Sequence, residues 1–275
     1  MEGNQIMVSQ AEELPVKIPK SILNKIILGD SRNMNEIPDN SVHLIVTSPP
    51  YNVGKDYEKE QLLVDWIDLM EQVLSECKRV VVSGGRIAIN VANINRKPYV
   101  PLHYYIIEIM LGLGFLMRGE IIWLKRESAG KSTAWGSWKS ASNPCLRDEH
   151  EYILIFSKDQ YRLKKETEEN SNTISASNFV SYTRSIWDNI KTESAKRIGH
   201  PTPFPIKIPI RLIELYSFKN NIVLDPFIGS GTTAIASLLK ERYFIGYEME
   251  PKYVDLANKR IYPYLNQKKI TKFTS

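Results

Sequence analysis

The chain has 275 residues, 43% of them hydrophobic and 24% charged, so it can bury a full core and lacks the composition of a disordered protein. Its net charge of +5 is compatible with a polyanionic partner but does not identify one. Two cysteines give neither a disulfide framework nor a zinc-binding pattern, and no ligand cluster suggests another metal. No apolar run is long enough to span a membrane and no signal peptide is apparent, so we expect a cytoplasmic protein.

Strand and helix patterns alternate along the chain. Short β-branched and apolar runs bounded by turn residues predict strands, and apolar residues at helical spacing predict amphipathic helices. The predicted strands are residues 24–28, 41–46, 86–92, 115–125, 151–156, 222–224 and 243–247. The predicted helices are residues 62–79, 100–113, 205–218 and 232–240, with one more after the last strand. This alternation predicts an α/β fold whose mostly parallel sheet is covered on both faces.

The sequence LDPFIGSGTT places a glycine loop between a strand and a helix. Asp225 ends the strand, and Gly229 and Gly231 permit a tight turn and the close approach of a ligand. The next strand ends at Glu248, whose carboxylate can accept both hydroxyls of a ribose. The loop lacks the lysine of a phosphate-binding P-loop, and Ala234 stands where a dinucleotide-binding motif has its third glycine. The pattern favours an adenosine-containing ligand without a pyrophosphate over a simple tight turn.

A second loop, TSPPY, follows the predicted strand 41–46. Its two consecutive prolines stiffen the backbone and fix the direction of the carbonyl groups. Ser48 and Tyr51 add a hydroxyl and an aromatic face to the end of the strand. Alone, this segment fits a rigid turn with a half-exposed aromatic residue as well as it fits a site. Its combination with the glycine loop favours a site.

The segments TSPPY and DPFIGSGTT together resemble the amino-methyltransferases of DNA, which transfer a methyl group from S-adenosylmethionine to an exocyclic base nitrogen. Their order resembles the permuted β group of bacterial and archaeal restriction-modification enzymes. Three further segments are similar to that group: LGDSRNMNEIPDNSVHLIVTSPPYN, LRDEHEYILIFSK and HPTPFPIKIPIRLIE. The resemblance covers residues 24–262 except 157–198. It implies a Rossmann-like, circularly permuted methyltransferase sheet with an inserted target-recognition region.

The resemblance implies that Ser48, Pro49, Pro50 and Tyr51 are catalytic. The lone pair of an exocyclic amine is delocalised into the base, and the Ser48 hydroxyl and Pro49 carbonyl are expected to accept its hydrogens. Tyr51 is expected to stack on a base flipped out of duplex DNA. In the family, serine at this position accompanies N4-cytosine methylation, so we expect that activity. N6-adenine methylation and a non-catalytic DNA- or partner-binding module on the same scaffold are the alternatives. Cys145 does not fit a 5-methylcytosine nucleophile, because it lies between the two loops and leucine follows it.

The resemblance also implies the binding residues. The expected S-adenosylmethionine site comprises Asp30, Thr202, Phe204, Pro205, Asp225, Pro226, Phe227, Gly229, Ser230, Gly231, Thr232 and Glu248. Asp30 has an alternative interpretation as a helix cap. The basic residues expected to contact DNA are Arg162, Lys164, Lys165, Arg184, Lys191, Lys196 and Arg197. Trp135 and Trp138 fit core anchors, DNA contacts or wedges equally well.

The expected organisation has four parts. They are an N-terminal arm (1–22), a catalytic half (23–156), a target-recognition insertion (157–198) and the cofactor-binding half of the same domain (199–275). The expected partner is double-stranded DNA. A second copy of the chain, and a cognate restriction endonuclease acting separately on the same site, are further candidate partners.

Overall fold

The structure is a computed structural model that describes residues 18–51, 59–94, 98–125, 136–193 and 205–270. The predictions made for Trp135, Lys196, Arg197, Thr202 and Phe204 fall outside the described residues. Within the described ranges, no helix combines the length and the apolar character needed to cross a bilayer.

The described residues contain eight strands in one sheet. They are β1 (Lys25–Leu28), β2 (Val42–Thr47), β3 (Val81–Val91), β4 (Leu116–Leu124), β5 (His150–Ser157), β6 (Ile186–Trp187), β7 (Ile222–Asp225) and β8 (Tyr243–Glu248). The spatial order is β1-β8-β7-β2-β3-β5-β4-β6. Only β5 runs against its neighbours among these strands, so the predicted mostly parallel sheet is confirmed.

Six helices connect or flank the strands in the described ranges. They are α1 (Lys59–Val80), α2 (Leu102–Gly112), α3 (Ala176–Tyr182), α4 (Lys207–Tyr216), α5 (Thr232–Leu239) and α6 (Pro251–Ile270). The helices cover both faces of the sheet. On β2, Val42 and Ile45 belong to a core cluster with residues of α1 and α2, whereas Leu44 and Val46 belong to a second cluster with residues of α4. A strand buried on both faces explains why its sequence is a continuous apolar run.

The main difference from the predicted elements is the start of β3, which begins at Val81 rather than at Arg86. Its pairing with β2 shifts register between Val42 and Leu44, and Gly84 has a φ of +77°. Gly84 and Gly85 therefore mark an irregularity within the strand. The sequence interpretation had placed the connection between the preceding helix and this strand at these residues.

The direction of the strands defines two edges of the sheet. Seven strands end at what we call the carboxyl edge, where β5 begins; the opposite side is the amino edge. Segments that leave the carboxyl edge include Gly29–Asp30, Ser48–Tyr51, Ala92, Lys125 and Pro226–Gly231. The two loops singled out in the sequence therefore emerge on the same side of the molecule, as expected for ligand binding in such sheets.

The segment after β5 runs along the amino edge before it joins the sheet as β6. Glu166 Oε1 lies 2.9 Å from His43 Nε2, and the Asn170 side-chain amide donates to the Lys219 carbonyl at 2.8 Å. Trp187 of β6 is buried in the second core cluster. The described part of the predicted insertion is thus tied closely to the core of the sheet.

Candidate active site

The two sequence loops leave adjacent strands. β2 and β7 are paired in parallel, and the Thr47 hydroxyl at the end of β2 donates to Asp225 Oδ1 at the end of β7 at 2.7 Å. Ser48 and Pro226 are the next residues on each strand. The TSPPY corner and the glycine loop therefore lie side by side at adjacent strand ends.

The glycine loop packs tightly against β8 and α6. The Ile228 N–H donates to the Tyr247 carbonyl at 3.0 Å, and Gly229 and Gly231 have φ values of +49° and +80°. A Cβ on Gly231 would lie 3.0 Å from Ala257 Cβ on α6. We expected Gly231 to admit a ligand to the backbone. The structure shows that the missing side chain makes room for helix α6, and contact between a ligand and the backbone of this loop stays a prediction.

The Asp225 carboxylate is buried and holds the two loops together. It accepts hydrogen bonds from the hydroxyls of Thr47 and Thr233, each at 2.7 Å, and from the Phe227 N–H at 3.1 Å. Burial raises its pKa to about 6, although these three donors oppose the shift. Its side chain is only 4% exposed, which fits a residue that positions the loop rather than one that touches a ligand.

We expect Asp225→Asn to change how stability depends on pH. Between the ordinary pKa of 3.8 and about 6, the folded protein binds more protons at Asp225 than the unfolded chain does, so stability falls as pH rises through this window. At pH 7 the charged side chain costs about 3 kcal/mol. The Asp225→Asn variant carries no charge at this position. The difference between its unfolding free energy and that of the native protein should therefore rise by up to that amount between pH 4 and 7. Urea denaturation across this range measures the difference; a constant difference would contradict the buried, charged state.

Two acidic residues expected to bind the cofactor lie on the far side of the glycine loop. β8 lies between β1 and β7, so Glu248 at its end lies between Asp30 and the glycine loop. Glu248 is half-buried, and its Oε1 accepts the Glu250 N–H at 2.9 Å. Asp30 binds the Arg32 guanidinium at 2.6 Å, and this hydrogen bond lowers the pKa of the Asp30 carboxyl.

The remaining described residues of the expected cofactor site are mostly buried. Phe227 is half-buried against the first core cluster, whereas Pro226, Gly229, Ser230 and Thr232 are buried. The carbonyl of Ser230 accepts a hydrogen bond from the Arg260 guanidinium of α6, a contact that no local sequence pattern indicates. Pro205 is also buried, and its carbonyl accepts the Ile208 N–H at the start of α4.

The TSPPY corner is held by contacts at both ends. The Pro50 carbonyl accepts the Trp66 indole N–H at 2.8 Å. The Tyr51 hydroxyl accepts the Ala92 N–H at 3.1 Å and lies 3.3 Å from Ser48 Oγ. Burial, and then the negative charge of Glu151, raise the pKa of the Tyr51 phenol, which favours its protonated form. The corner therefore presents neutral hydroxyls beside the glycine loop.

Three polar residues missed by the sequence interpretation lie behind the corner. Asn90 of β3 donates its amide to Glu151 Oε2 at 2.5 Å and to Ser48 Oγ at 3.5 Å. Glu151 Oε1 accepts from Lys125 Nζ at 2.6 Å. The polar Asn90 in the apolar stretch IAINV at the end of β3 was a sequence signal for a buried polar contact, but its partner lies 61 residues away in the sequence.

The structure corrects part of the expected DNA surface. β5 ends at Ser157, opposite Arg86 near the start of β3, so Arg162, Lys164 and Lys165 follow at the amino edge. The backbone carbonyl of Arg162 lies against Gly84 there. About 17 Å of strand separates Arg86 from the carboxyl edge. These three residues are therefore on the wrong side for contacts around a base held at Ser48. The other two described residues, Arg184 and Lys191, flank β6.

A loop between β4 and β5 rises from the carboxyl edge and exposes apolar side chains. Residues 136–149 are closed by a bridge between Gly136 and Pro144 and by the Ser137 N–H, which donates to the Asn143 carbonyl at 2.9 Å. The exposed large hydrophobic side chains of this loop are Trp138 (64%) and Leu146 (90%). This exposure excludes the interpretation of Trp138 as a core anchor.

A groove and a metal site are further candidate functional sites. The groove lies away from the two loops, and the described residues give no support for the metal site. A groove of about 800 Å³ between α1 and α2 is lined by residues that include Arg32, Gln72 and Tyr105, but by none of the corner or glycine-loop residues. In the part of the chain that the structure describes, no group of three or more histidine, cysteine, aspartate or glutamate side chains is placed to hold a metal.

Comparison with known proteins gives consistent matches over most of the chain. A model of the DNA methylase family matches residues 42–259. The Type II methyltransferase M.BglII of Bacillus subtilis is 31% identical over 264 residues, which cover 89% of this chain and 70% of M.BglII. The Type II methyltransferase M.MthZI of Methanothermobacter thermautotrophicus is 32% identical over 273 residues, covering 86% and 76%. The Thermus thermophilus protein TTHA0409, assigned as a DNA modification methylase and solved with S-adenosyl-L-methionine, is 32% identical, with a TM-score of 0.72 and coverage of 87% and 93%.

Proposed function

The chain belongs to the DNA methylase family and is an S-adenosylmethionine-dependent DNA methyltransferase of the N4/N6 type, and we propose that it methylates the exocyclic N4 of a flipped-out cytosine in duplex DNA. The observation that carries the proposal is the pairing of β2 with β7. It brings the Ser48–Tyr51 corner and the glycine loop to adjacent strand ends, joined by the bond between Thr47 and Asp225.

The residues beside β7 fit S-adenosylmethionine. Glu248, held at the end of β8 by the Glu250 N–H, supplies acceptors suited to ribose hydroxyls, and Asp30 follows the end of the neighbouring strand β1. The glycine loop and the start of α5 form the wall nearest the corner. When bound, the cofactor supplies an electrophilic methyl group on a positively charged sulfur. In this arrangement Asp225 does not touch the cofactor but holds the glycine loop against Thr47.

The corner has the properties needed to handle an aromatic amine. Ser48 is half-buried and offers an oxygen acceptor, while Tyr51 offers an aromatic ring for stacking on the base. The Trp66 indole holds the Pro50 carbonyl, so the backbone of the corner is pre-positioned. Such pre-positioned acceptors keep the amine hydrogens in place while the nitrogen lone pair turns toward the methyl donor.

The choice of cytosine rests on Ser48. In the family resemblance, serine at this position accompanies N4-cytosine methylation and aspartate accompanies N6-adenine methylation. The neutral hydroxyl of Ser48 in this sequence therefore supports cytosine.

Transfer of a labelled methyl group tests this assignment. The protein is incubated with methyl-labelled S-adenosylmethionine and duplex DNA, which is then digested and separated into nucleosides. N4-methylcytosine is the expected product. N6-methyladenine would refute the choice of base, and label found only in RNA or protein would refute the substrate. Cofactor binding without label in any DNA would favour a non-catalytic module.

The exposed apolar loop suggests how a flipped base is replaced in the stack. Leu146 is 90% exposed and lies three residues before Glu149, whose carbonyl accepts the Lys125 N–H at the carboxyl edge. An apolar side chain in that position can fill the gap left in a duplex. We expect Leu146→Ala to make base flipping about 5- to 30-fold less favourable, because roughly 1–2 kcal/mol of apolar burial is lost. Fluorescence of 2-aminopurine placed at the methylated position reports the flipped fraction.

A matched control is available on the other edge of the sheet. Leu239, at the end of α5, is 45% exposed, and Leu239→Ala should leave the fluorescence unchanged. Equal losses in both leucine variants would contradict the assignment of Leu146 to the DNA stack.

The proposal includes further partners. We assign Arg184 and Lys191, which flank β6, to contacts with DNA phosphates, together with Lys196 and Arg197. We also propose that the protein forms a homodimer, that a cognate restriction endonuclease acts on the same site, and that the protein is located in the cytoplasm. Light scattering tests the dimer, and resistance of DNA methylated by this protein to a co-occurring endonuclease tests the second partner.

A further inference from the structure

The polar residues behind Ser48 form a chain of hydrogen bonds with a definite direction. Glu151 is at its origin, since Oε1 accepts from Lys125 Nζ at 2.6 Å and Oε2 accepts from Asn90 Nδ2 at 2.5 Å. A carboxylate paired with an ammonium group can only accept hydrogen bonds. The amide of Asn90 must therefore turn its NH₂ group, and not its oxygen, toward Glu151.

This constraint alone orients the Asn90 side chain. Asn90 is 2% exposed, and its Oδ1 is buried without a hydrogen-bond partner among the described residues. Because the described residues offer the amide oxygen no donor, the contact with Glu151 decides which way the amide faces. The second N–H of the NH₂ group then points to Ser48 Oγ, 3.5 Å away.

The direction continues through Ser48 to Tyr51. The Tyr51 hydroxyl accepts the Ala92 N–H at 3.1 Å, and its one hydrogen can go to the Asn90 backbone carbonyl at 3.4 Å or to Ser48 Oγ at 3.3 Å. With the Tyr51 hydrogen on the carbonyl, which can only accept, Ser48 is the donor across the 3.3 Å between Ser48 Oγ and Tyr51 Oη. A hydroxyl oxygen has two lone pairs and one hydrogen. In this arrangement Asn90 uses one lone pair and Tyr51 receives the hydrogen, so one lone pair remains.

We propose that Glu151 is a positioning residue that fixes the direction of this chain, so that Ser48 presents a lone pair rather than its hydrogen to the substrate amine. The inference rests on the proposed function and deepens it, because an exocyclic amine offers hydrogens and requires an acceptor. The contacts of 3.3–3.5 Å around Ser48 are longer than an optimal hydrogen bond and leave room to tighten when the amine is bound.

Glu151→Gln is the variant that tests direction, because glutamine has the same shape but can donate. Its NH₂ group allows Asn90 to turn over and offer its oxygen to Ser48, whose hydrogen is then drawn away from Tyr51. We expect kcat to fall about 10- to 100-fold, the loss typical of one misdirected charged hydrogen bond. The KM for S-adenosylmethionine should stay within about twofold, because Glu151 lies on the side of the corner away from the glycine loop.

A double-mutant cycle separates this role from a general effect on the fold. In a Ser48→Ala background there is no hydroxyl to orient, so adding Glu151→Gln should lower kcat by less than about threefold more. The same large loss in both backgrounds would overturn the proposal, as would full kcat in the single Glu151→Gln variant.

Nuclear magnetic resonance supplies a readout that does not depend on catalysis. In the native protein, the side-chain NH₂ protons of Asn90 should be protected from solvent exchange, and Glu151→Gln should shift their signals and that of the Ala92 amide. Unchanged signals would overturn the positioning role even if the variant were inactive. A native protein that methylates no DNA would instead refute the proposed function, and the Asn90 signals would still decide whether Glu151 orients the amide.

Discussion

Tyr51→Ala is expected to lower the rate of methyl transfer by about 100- to 1,000-fold while leaving the affinity for S-adenosylmethionine nearly unchanged. The alanine removes the ring proposed to stack on the base, and it removes the hydroxyl that is hydrogen-bonded to Ser48. The glycine loop touches neither group in the proposed arrangement, so cofactor binding should survive. Single-turnover kinetics measure the first quantity, and isothermal titration calorimetry measures the second.

Tyr51→Phe is the matched control, because it keeps the ring and removes only the hydroxyl. We expect it to lose about tenfold or less, since one neutral hydrogen bond contributes roughly 0.5–1.5 kcal/mol. Transfer at the native rate by Tyr51→Ala would mean that the base does not stack at this position.

Gly231→Ala is expected to destabilise the fold by about 2–5 kcal/mol. The left-handed backbone at φ +80° disfavours any side chain, by roughly 1–2 kcal/mol. The added Cβ would also lie 3.0 Å from Ala257 Cβ and from Ile261 Cδ1, and such overpacking costs about 1–3 kcal/mol. Because α6 must shift to make room, we also expect weaker cofactor binding. Urea denaturation measures the loss of stability.

Gly114→Ala separates the two contributions. Gly114 also has a φ of +80°, but a Cβ there would meet only Lys78 Nζ, at 3.7 Å. This variant should lose only the backbone contribution, about 1–2 kcal/mol. Equal losses at positions 114 and 231 would show that packing against α6 does not explain the glycine.

The sequence was sufficient for the fold class, the family and the cofactor, which the comparisons confirm. The alternation of strand and helix patterns located most elements within a few residues. Two local motifs were specific enough to indicate a site from the sequence, and the pairing of β2 with β7 places these motifs side by side. The permuted order of the two halves remains an interpretation of the motif order.

What the sequence could not supply depends on contacts between distant residues. No local pattern indicates that Asn90 meets Glu151, or that Gly231 packs against Ala257. The direction of β5 was equally invisible, because an apolar strand has the same composition in either orientation. The antiparallel pairing of β5 sends the next segment to the amino edge, and for this reason the expectation for Arg162 and the two lysines after it was wrong in position.

The proposed mechanism requires the methyl donor and the substrate amine to meet between the Ser48–Tyr51 corner and the glycine loop. The most direct measurement uses S-adenosylmethionine with a ¹³C-labelled methyl group, bound to the protein without DNA. We expect nuclear Overhauser contacts from this methyl group to the ring protons of Tyr51 and to Pro49. Contacts confined to residues of another region, such as Tyr105 in the groove between α1 and α2, would contradict the account.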